Sequence, residues 1–242
     1  MQPYINLLGI SLPFYNLMVG LSLIIGILVF EKTEKTFNID NQFIKINKEI
    51  ILAINIIGGF FFAAFFENIY HNSFNKIGEF GITFFGGIIF SIIINFIIFR
   101  FSISNFLFFT NLLIPSILIA HSIGRIGCLM AGCCYGEKSN SMFSIIYPNG
   151  ESRIAIQLIE SFILLIGFYI VSSKVKFKDR YIFYFLYYSF FRFLLEFYRN
   201  DDRGFTFFKM SPSQIISIVL FTFTLLYTLS LKKIKLYHQS NT

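Results

Sequence analysis

Seven stretches of the chain are almost continuously apolar, near positions 14–30, 50–66, 80–99, 106–123, 154–172, 181–198 and 213–231, with short polar or charged segments between them. A helix that crosses a bilayer needs about 20 mostly apolar residues at about 1.5 Å of rise each. The seven runs reach or approach that length. Apolar and polar residues do not alternate within them, so the dyad pattern of a membrane β-barrel is absent. The pattern predicts an all-α membrane protein of about seven transmembrane helices. The first run has neither the basic leader nor the small-residue cleavage site of a secretory signal peptide, and is expected to remain as the first span. No Pro-, Gly- or Ser-rich linker interrupts the series, so residues 1–242 read as a single polytopic membrane domain.

Composition agrees with this class: 55% of residues are hydrophobic and 14% charged, against about one-quarter charged in soluble domains. The 35 Phe and the lack of Trp read as residue usage, with the aromatics mostly facing lipid. Lys and Arg in the loops set the orientation. With the N-terminus outside, twelve fall on the inner side, among them Lys32, Lys48, Arg100, Lys174, Arg180, Lys232, Lys233 and Lys235. Seven fall on the outer side: Lys76, Arg125, Lys138, Arg153, Arg199, Arg203 and Lys209. The bias predicts an outer N-terminus and a cytoplasmic C-terminus. The net charge of +7 then lies mostly against inner-leaflet head groups, and is no argument for nucleic acid.

With this topology the polar residues inside the apolar runs gather at one depth. Arg125 follows the fourth run at its outer end, and Gln157 and Glu160 lie about one turn into the fifth. Arg192, Glu196 and Arg199 share one face of the sixth by i, i+4, i+7 spacing. Gly86-Gly87, in the outer half of the third, admit a ligand or another backbone closely. A charge inside the membrane costs about 2.5–3.5 kcal/mol on insertion scales, so it pairs, faces a wet cavity or binds a ligand. An Arg192–Glu196 pair within one helix, with Arg199 snorkelling to the head groups, is the plainest account. Three spans supplying polar groups at one level exceed what one pair requires.

Residues 121–136, His-Ser-Ile-Gly-Arg-Ile-Gly-Cys-Leu-Met-Ala-Gly-Cys-Cys-Tyr-Gly, hold all three cysteines and read as a loop after the fourth span. Cys128, Cys133 and Cys134 do not match paired C-x-x-C spacing, which disfavours structural zinc, and no metal or cofactor is expected. Three readings stay open: a bridge from Cys128 to Cys133 or Cys134, a reactive thiol beside Arg125, and small buried cysteines packed among glycines at a helix crossing. His71 and His121 are possible proton acceptors. Glu31 to Lys48 reads as a solvated inner loop. Asp201 and Asp202 are too few oxygens for a divalent ion.

Several segments, in order, resemble the prolipoprotein diacylglyceryl transferase family: Phe85-Gly86-Gly87, Gly124-Arg125-Ile126-Gly127 followed by Gly136, Arg153 with Gln157-Leu158 and Glu160, Phe191-Arg192-Phe193 through Glu196 to Arg199, and Met210-Ser211 with Gln214. The resemblance implies a multi-pass protein of the bacterial plasma membrane. It implies transfer of a diacylglyceryl group from phosphatidylglycerol to the lipobox cysteine of prolipoproteins at the outer face. The partners implied are phosphatidylglycerol, the prolipoprotein signal peptide and membrane lipids. By the same resemblance Arg125 and Arg192 hold the phosphate, Glu160 and Glu196 orient them, and Arg199 attracts the head group. Gly86, Gly87, Gly127, Gly136, Gln157 and Arg153 are the further substrate-binding residues. The chain departs from the family's His-Gly-Gly motif at Phe85, and from its Gly-Asn-Phe-x-Asn-x-Glu run, where Cys128, Ala131 and Cys133 stand instead. A transferase with another thiol acceptor, or a non-catalytic phospholipid-binding protein, would share the fold. A channel or transporter is disfavoured, because the charged groups cluster at one face.

Overall fold

The structure is a computed structural model and describes residues 4–7, 10–37, 39, 41–71, 83–147, 149–200 and 210–240. Its elements run β1 (Tyr4–Leu7), β2 (Ile10–Pro13), α1 (Phe14–Thr36), α2 (Gln42–Tyr70), α3 (Phe84–Ile98), α4 (Ile103–Ala131), β3 (Ser144–Ile146), β4 (Ser152–Ile154), α5 (Ile156–Ser173), a 3-10 turn at Phe177–Asp179, α6 (Arg180–Glu196) and α7 (Pro212–Ser240). Among the described residues the seven helices fall on the seven apolar runs. Five of them, α1, α2, α4, α5 and α7, are long and apolar enough to cross a membrane. The other two are shorter. α3 has 15 residues, and α6 has 17, with Arg180, Arg192 and Glu196 buried along it.

Local chemistry sets the helix ends. Asn41 and Ser102 cap α2 and α4 by accepting from the backbone N–H groups of Ile44 and Asn105. Ser211 and Gln214 form a reciprocal box at the start of α7: the Ser211 hydroxyl accepts from Gln214 N at 3.2 Å, and Gln214 Oε1 from Ser211 N at 3.0 Å. Two predicted loops prove to be largely helix. Within the stretch from Glu31 to Lys48, residues 31–36 belong to α1 and 42–48 to α2, and Lys48 bonds Glu34 at 2.6 Å. Residues 121–131 continue α4, because neither Gly124 nor Gly127 breaks a helix that nothing else opposes. The stop comes at Gly132, left-handed at φ 71°.

The helices pair through small and amide residues. α1 lies along α4, where a Cβ at Gly26 would sit 3.2 Å from Ala120 Cβ. α2 lies along α3, joined by reciprocal Asn55–Asn95 hydrogen bonds of 3.0 and 3.1 Å. Between α4 and α5 the hydroxyls of Ser122 and Ser161 each donate to the other's carbonyl at 2.9 Å. Such contacts suit membrane interfaces, where burial of apolar surface gives helices little reason to associate. The aromatics do more than face lipid. Phe162 and Phe223 point outward, but Phe30, Phe85, Phe99, Phe109, Tyr184 and Tyr188 are buried core.

The N-terminal ends of α1, α3, α5 and α7 and the C-terminal ends of α2, α4 and α6 meet at one end of the bundle. Antiparallel β3 and β4 lie there, linked to the rest by bridges of Gly136 with Arg199 and of Lys138 with Arg153. Lys76, Asp201, Asp202, Arg203 and Lys209 lie outside the described residues, as do the side chains of Lys232, Lys233 and Lys235.

Candidate functional site

At the hairpin end, three helices bring their charges onto one carboxylate. Glu160 of α5 is 1% exposed. Arg125 Nη2 of α4 lies 2.9 and 3.0 Å from its two oxygens, and Arg192 Nη1 of α6 lies 3.2 Å from Oε2. The Tyr188 hydroxyl donates to Oε1 at 3.2 Å, and His121 Nε2 stands 3.8 Å from the same oxygen. Arg192 also pairs with Glu196 at 2.7 Å, one turn on, and reaches Ser213 of α7 at 3.4 Å. Two arginines and two glutamates cancel in charge, which is the condition for burying them.

Beside this network a cavity of about 300 Å³ lies between the α1–α4 and α2–α3 pairs. Along α4 it runs from Leu113 to Cys128, roughly 22 Å of helix rise. Most of its wall is apolar, with Leu23, Ile27, Ile56, Phe60 and Ile117 along its length. Tyr15, His121, Arg125 and Cys128 make its polar end. Arg125 Nε and His121 Nδ1 are buried and have no hydrogen-bond partner among the described residues. The His121 ring stacks on Phe84 at 3.6 Å and meets Tyr188 edge-on, which fixes its orientation.

The chain leaves α4 and turns sharply through two left-handed residues, Gly132 and Cys134, the latter at φ 61°. A non-glycine residue there is strained by roughly 1–2 kcal/mol. Gln157, fully buried on α5, holds the turn by donating to the Cys133 carbonyl and accepting from Tyr147. The Sγ atoms of Cys128, Cys133 and Cys134 lie within 4.8 Å of one another. Hydrogen bonds from Cys128 and Cys133, assisted by Arg199 and Arg125, hold the Cys134 thiol well below the usual range. Hydrogen bonding within the trio raises Cys133. Burial raises the Tyr147 hydroxyl. In the hairpin, Lys138 and Arg153 bond Glu151 and draw its carboxyl down to about 2.

The expected residues thus divide. Arg125, Glu160, Arg192 and Glu196 form one network, but only Arg125 of the four lines the cavity; Arg192 stands behind Glu160. Gly87 lines the cavity, whereas at Gly86, Gly127 and Gly136 protein fills the space expected for substrate. An added Cβ would meet Phe62 O at 2.8 Å, Met18 Cβ at 3.0 Å and Ile156 Cγ1 at 2.8 Å respectively. Gln157 and Arg153 are likewise engaged by protein groups. Arg153 is bonded to Glu151, lies near the Gly136 carbonyl and stacks over Tyr135. Arg199 does not continue the α6 face, since the helix ends at Glu196 and Arg199 bridges Gly136. His71 caps α2 beside Glu67 at 3.5 Å, whereas His121 joins the site. The cysteines are not packed away, as Cys133 is exposed and the other two half-buried; all three are free thiols. Tyr15, Tyr188 and Ser213 were not singled out. Tyr188 had a signal, because it precedes Arg192 by one helical turn.

The prolipoprotein diacylglyceryl transferase family model matches residues 3–230. The phosphatidylglycerol–prolipoprotein diacylglyceryl transferase 2 of Clostridium perfringens is 31% identical over 244 aligned positions, covering 93% of each chain. The transferase of Clostridium tetani is 29% identical over 236, covering 90% of this chain and 93% of its own. That of Campylobacter jejuni is 27% identical over 252, covering 94% and 92%.

Proposed function

The chain belongs to the prolipoprotein diacylglyceryl transferase family, and from that premise we propose that it moves the diacylglyceryl group of phosphatidylglycerol onto the lipobox cysteine of a prolipoprotein. The observation that carries this reading is a long apolar cavity ending at a guanidinium that a buried carboxylate holds in place. The apolar length suits acyl chains. At its polar end Arg125, steadied by Glu160, meets the phosphate through its remaining N–H groups, in the fork geometry that suits phosphate oxygens. Arg192 and Glu196 are positioning residues: Arg192 pairs with Glu160, and Glu196 holds Arg192.

In the reaction the acceptor sulfur attacks the glycerol carbon that carries the phosphate ester. A C–S bond forms, the C–O bond breaks, and glycerol phosphate leaves with the electron pair, its charge met by Arg125. The thiol proton goes to His121, which lines the polar end of the cavity and whose Nδ1 has no hydrogen-bond partner among the described residues. The loop charges support a plasma-membrane orientation with the N-terminus outside, which puts this end of the bundle at the outer face. Single-cysteine labelling of β3–β4 from outside intact cells checks the orientation. Protein incubated with phosphatidylglycerol vesicles and a lipobox peptide is expected to yield a thioether-linked diacylglyceryl peptide by mass spectrometry, and Arg125→Ala to abolish it. Absence of product with folded wild-type protein overturns the reading.

A further inference from the structure

The transfer chemistry above gives the three cysteines no task, yet they stand at its door: Cys128 lines the cavity's polar end and belongs to the thiol cluster as well. Three features make this cluster a built site. The turn takes a left-handed non-glycine residue at Cys134 and is fastened by the buried Gln157, so the sulfurs converge through backbone held in place. Their mutual separations, all within 4.8 Å, need only a small contraction to the roughly 3.8–4.0 Å that three thiolates keep around one ion at zinc–sulfur bonds of about 2.3 Å. Cys128 lies one turn after Arg125 on α4 and lines the same polar end of the cavity, so the cluster adjoins the point where the substrate head group sits in the transfer reading.

We propose that Cys128, Cys133 and Cys134 bind one zinc ion and leave a coordination position for the acceptor thiol. Three protein ligands with one open position is the ligand count of catalytic zinc; structural sites close with four. The role rests on the transfer reading above. A thiol bound at the open position loses its proton, to His121 or to water, and stays nucleophilic as a metal-bound thiolate. Its sulfur then forms the C–S bond as the C–O bond to phosphate breaks. The product is a neutral thioether, a poorer ligand than thiolate, and detaches. The site would thereby supply activation where the family's histidine, amides and carboxylate are replaced.

Cobalt(II) substituted into full-length protein, reduced with a phosphine and kept in detergent, tests this. Expected are one metal per chain and a thiolate-to-cobalt absorption band. Cys133→Ser, which alters the most exposed sulfur, is expected to weaken cobalt binding by about tenfold or more, and the triple Cys→Ser variant to lose the band. A lipobox peptide with its cysteine should change the band, and the same peptide with serine should not. Size exclusion and thermal unfolding confirm that each variant is folded. No band in reduced, folded wild-type protein overturns the proposal, as does a band indifferent to the thiol peptide, a native disulfide within the trio, or full transfer by chelator-stripped protein. A thiol-responsive band without any thioether product sinks the transfer reading and leaves the zinc site standing.

Discussion

Glu160 sits at the meeting of two guanidiniums, a phenol and an imidazole, and no other carboxylate is so placed among the described residues. Its replacement by Ala strands the buried Arg125 and leaves Arg192 to Glu196 alone, so a loss of about 3–5 kcal/mol is expected, read as a lowered Tm in detergent together with loss of transfer. Arg125→Lys separates the two roles. It keeps a charge beside Glu160 but not the fork, and should hold most of the Tm while losing most of the transfer rate. The charged members of this network were legible in the sequence because a charge in an apolar run is rare. Tyr15 and Tyr188 were not, in a chain where aromatics are everywhere. Nor did the spacing of Cys128, Cys133 and Cys134 reveal their convergence, which depends on a positive φ at a non-glycine residue.

The bond between α2 and α3 can be weighed by a double-mutant cycle on Asn55 and Asn95. Asn95→Leu takes the donor from Asn55 Oδ1, while Asn55 Nδ2 keeps the Ile51 carbonyl, and should destabilise by about 0.6–1.7 kcal/mol. Adding Asn55→Leu should recover part of that, measured by unfolding in detergent. In the hairpin, Glu151 makes its contribution fully above the ordinary carboxyl value of 4.5, because its folded value is lowered to about 2. That contribution should fade as pH falls between these values, seen as faster amide exchange in β3–β4, and Glu151→Gln should lack the pH step. The seven helices were legible because apolar runs of this length have few other uses. Their ends were not, since apolarity stops at position 123 while the helix continues to Ala131. The hairpins passed unseen because strands of three or four residues carry too little alternation to register.

For the bundle as a whole, the cavity between its two helix pairs is the feature that a single bulky residue can test. Gly124 lines it, and nothing lies within 4 Å of an added Cβ. Gly124→Leu should therefore fold with an unchanged Tm, yet carry less co-purifying phospholipid and transfer slowly; equal lipid in both proteins would place the acyl chains elsewhere. The network at the head of that cavity also bears on how the molecule is made. Arg125, Glu160 and Arg192 belong to α4, α5 and α6, which leave the ribosome in that order. Of the three, Arg125 alone enters the bilayer before its partner, at up to about 2.5–3.5 kcal/mol for an unpaired charge in lipid, whereas Glu160 and Arg192 each find a partner already in place. Nascent chains halted before α5 should hold α4 poorly, and those halted after it should hold it well, so the carboxylate that orders the finished site also secures the helix synthesised before it.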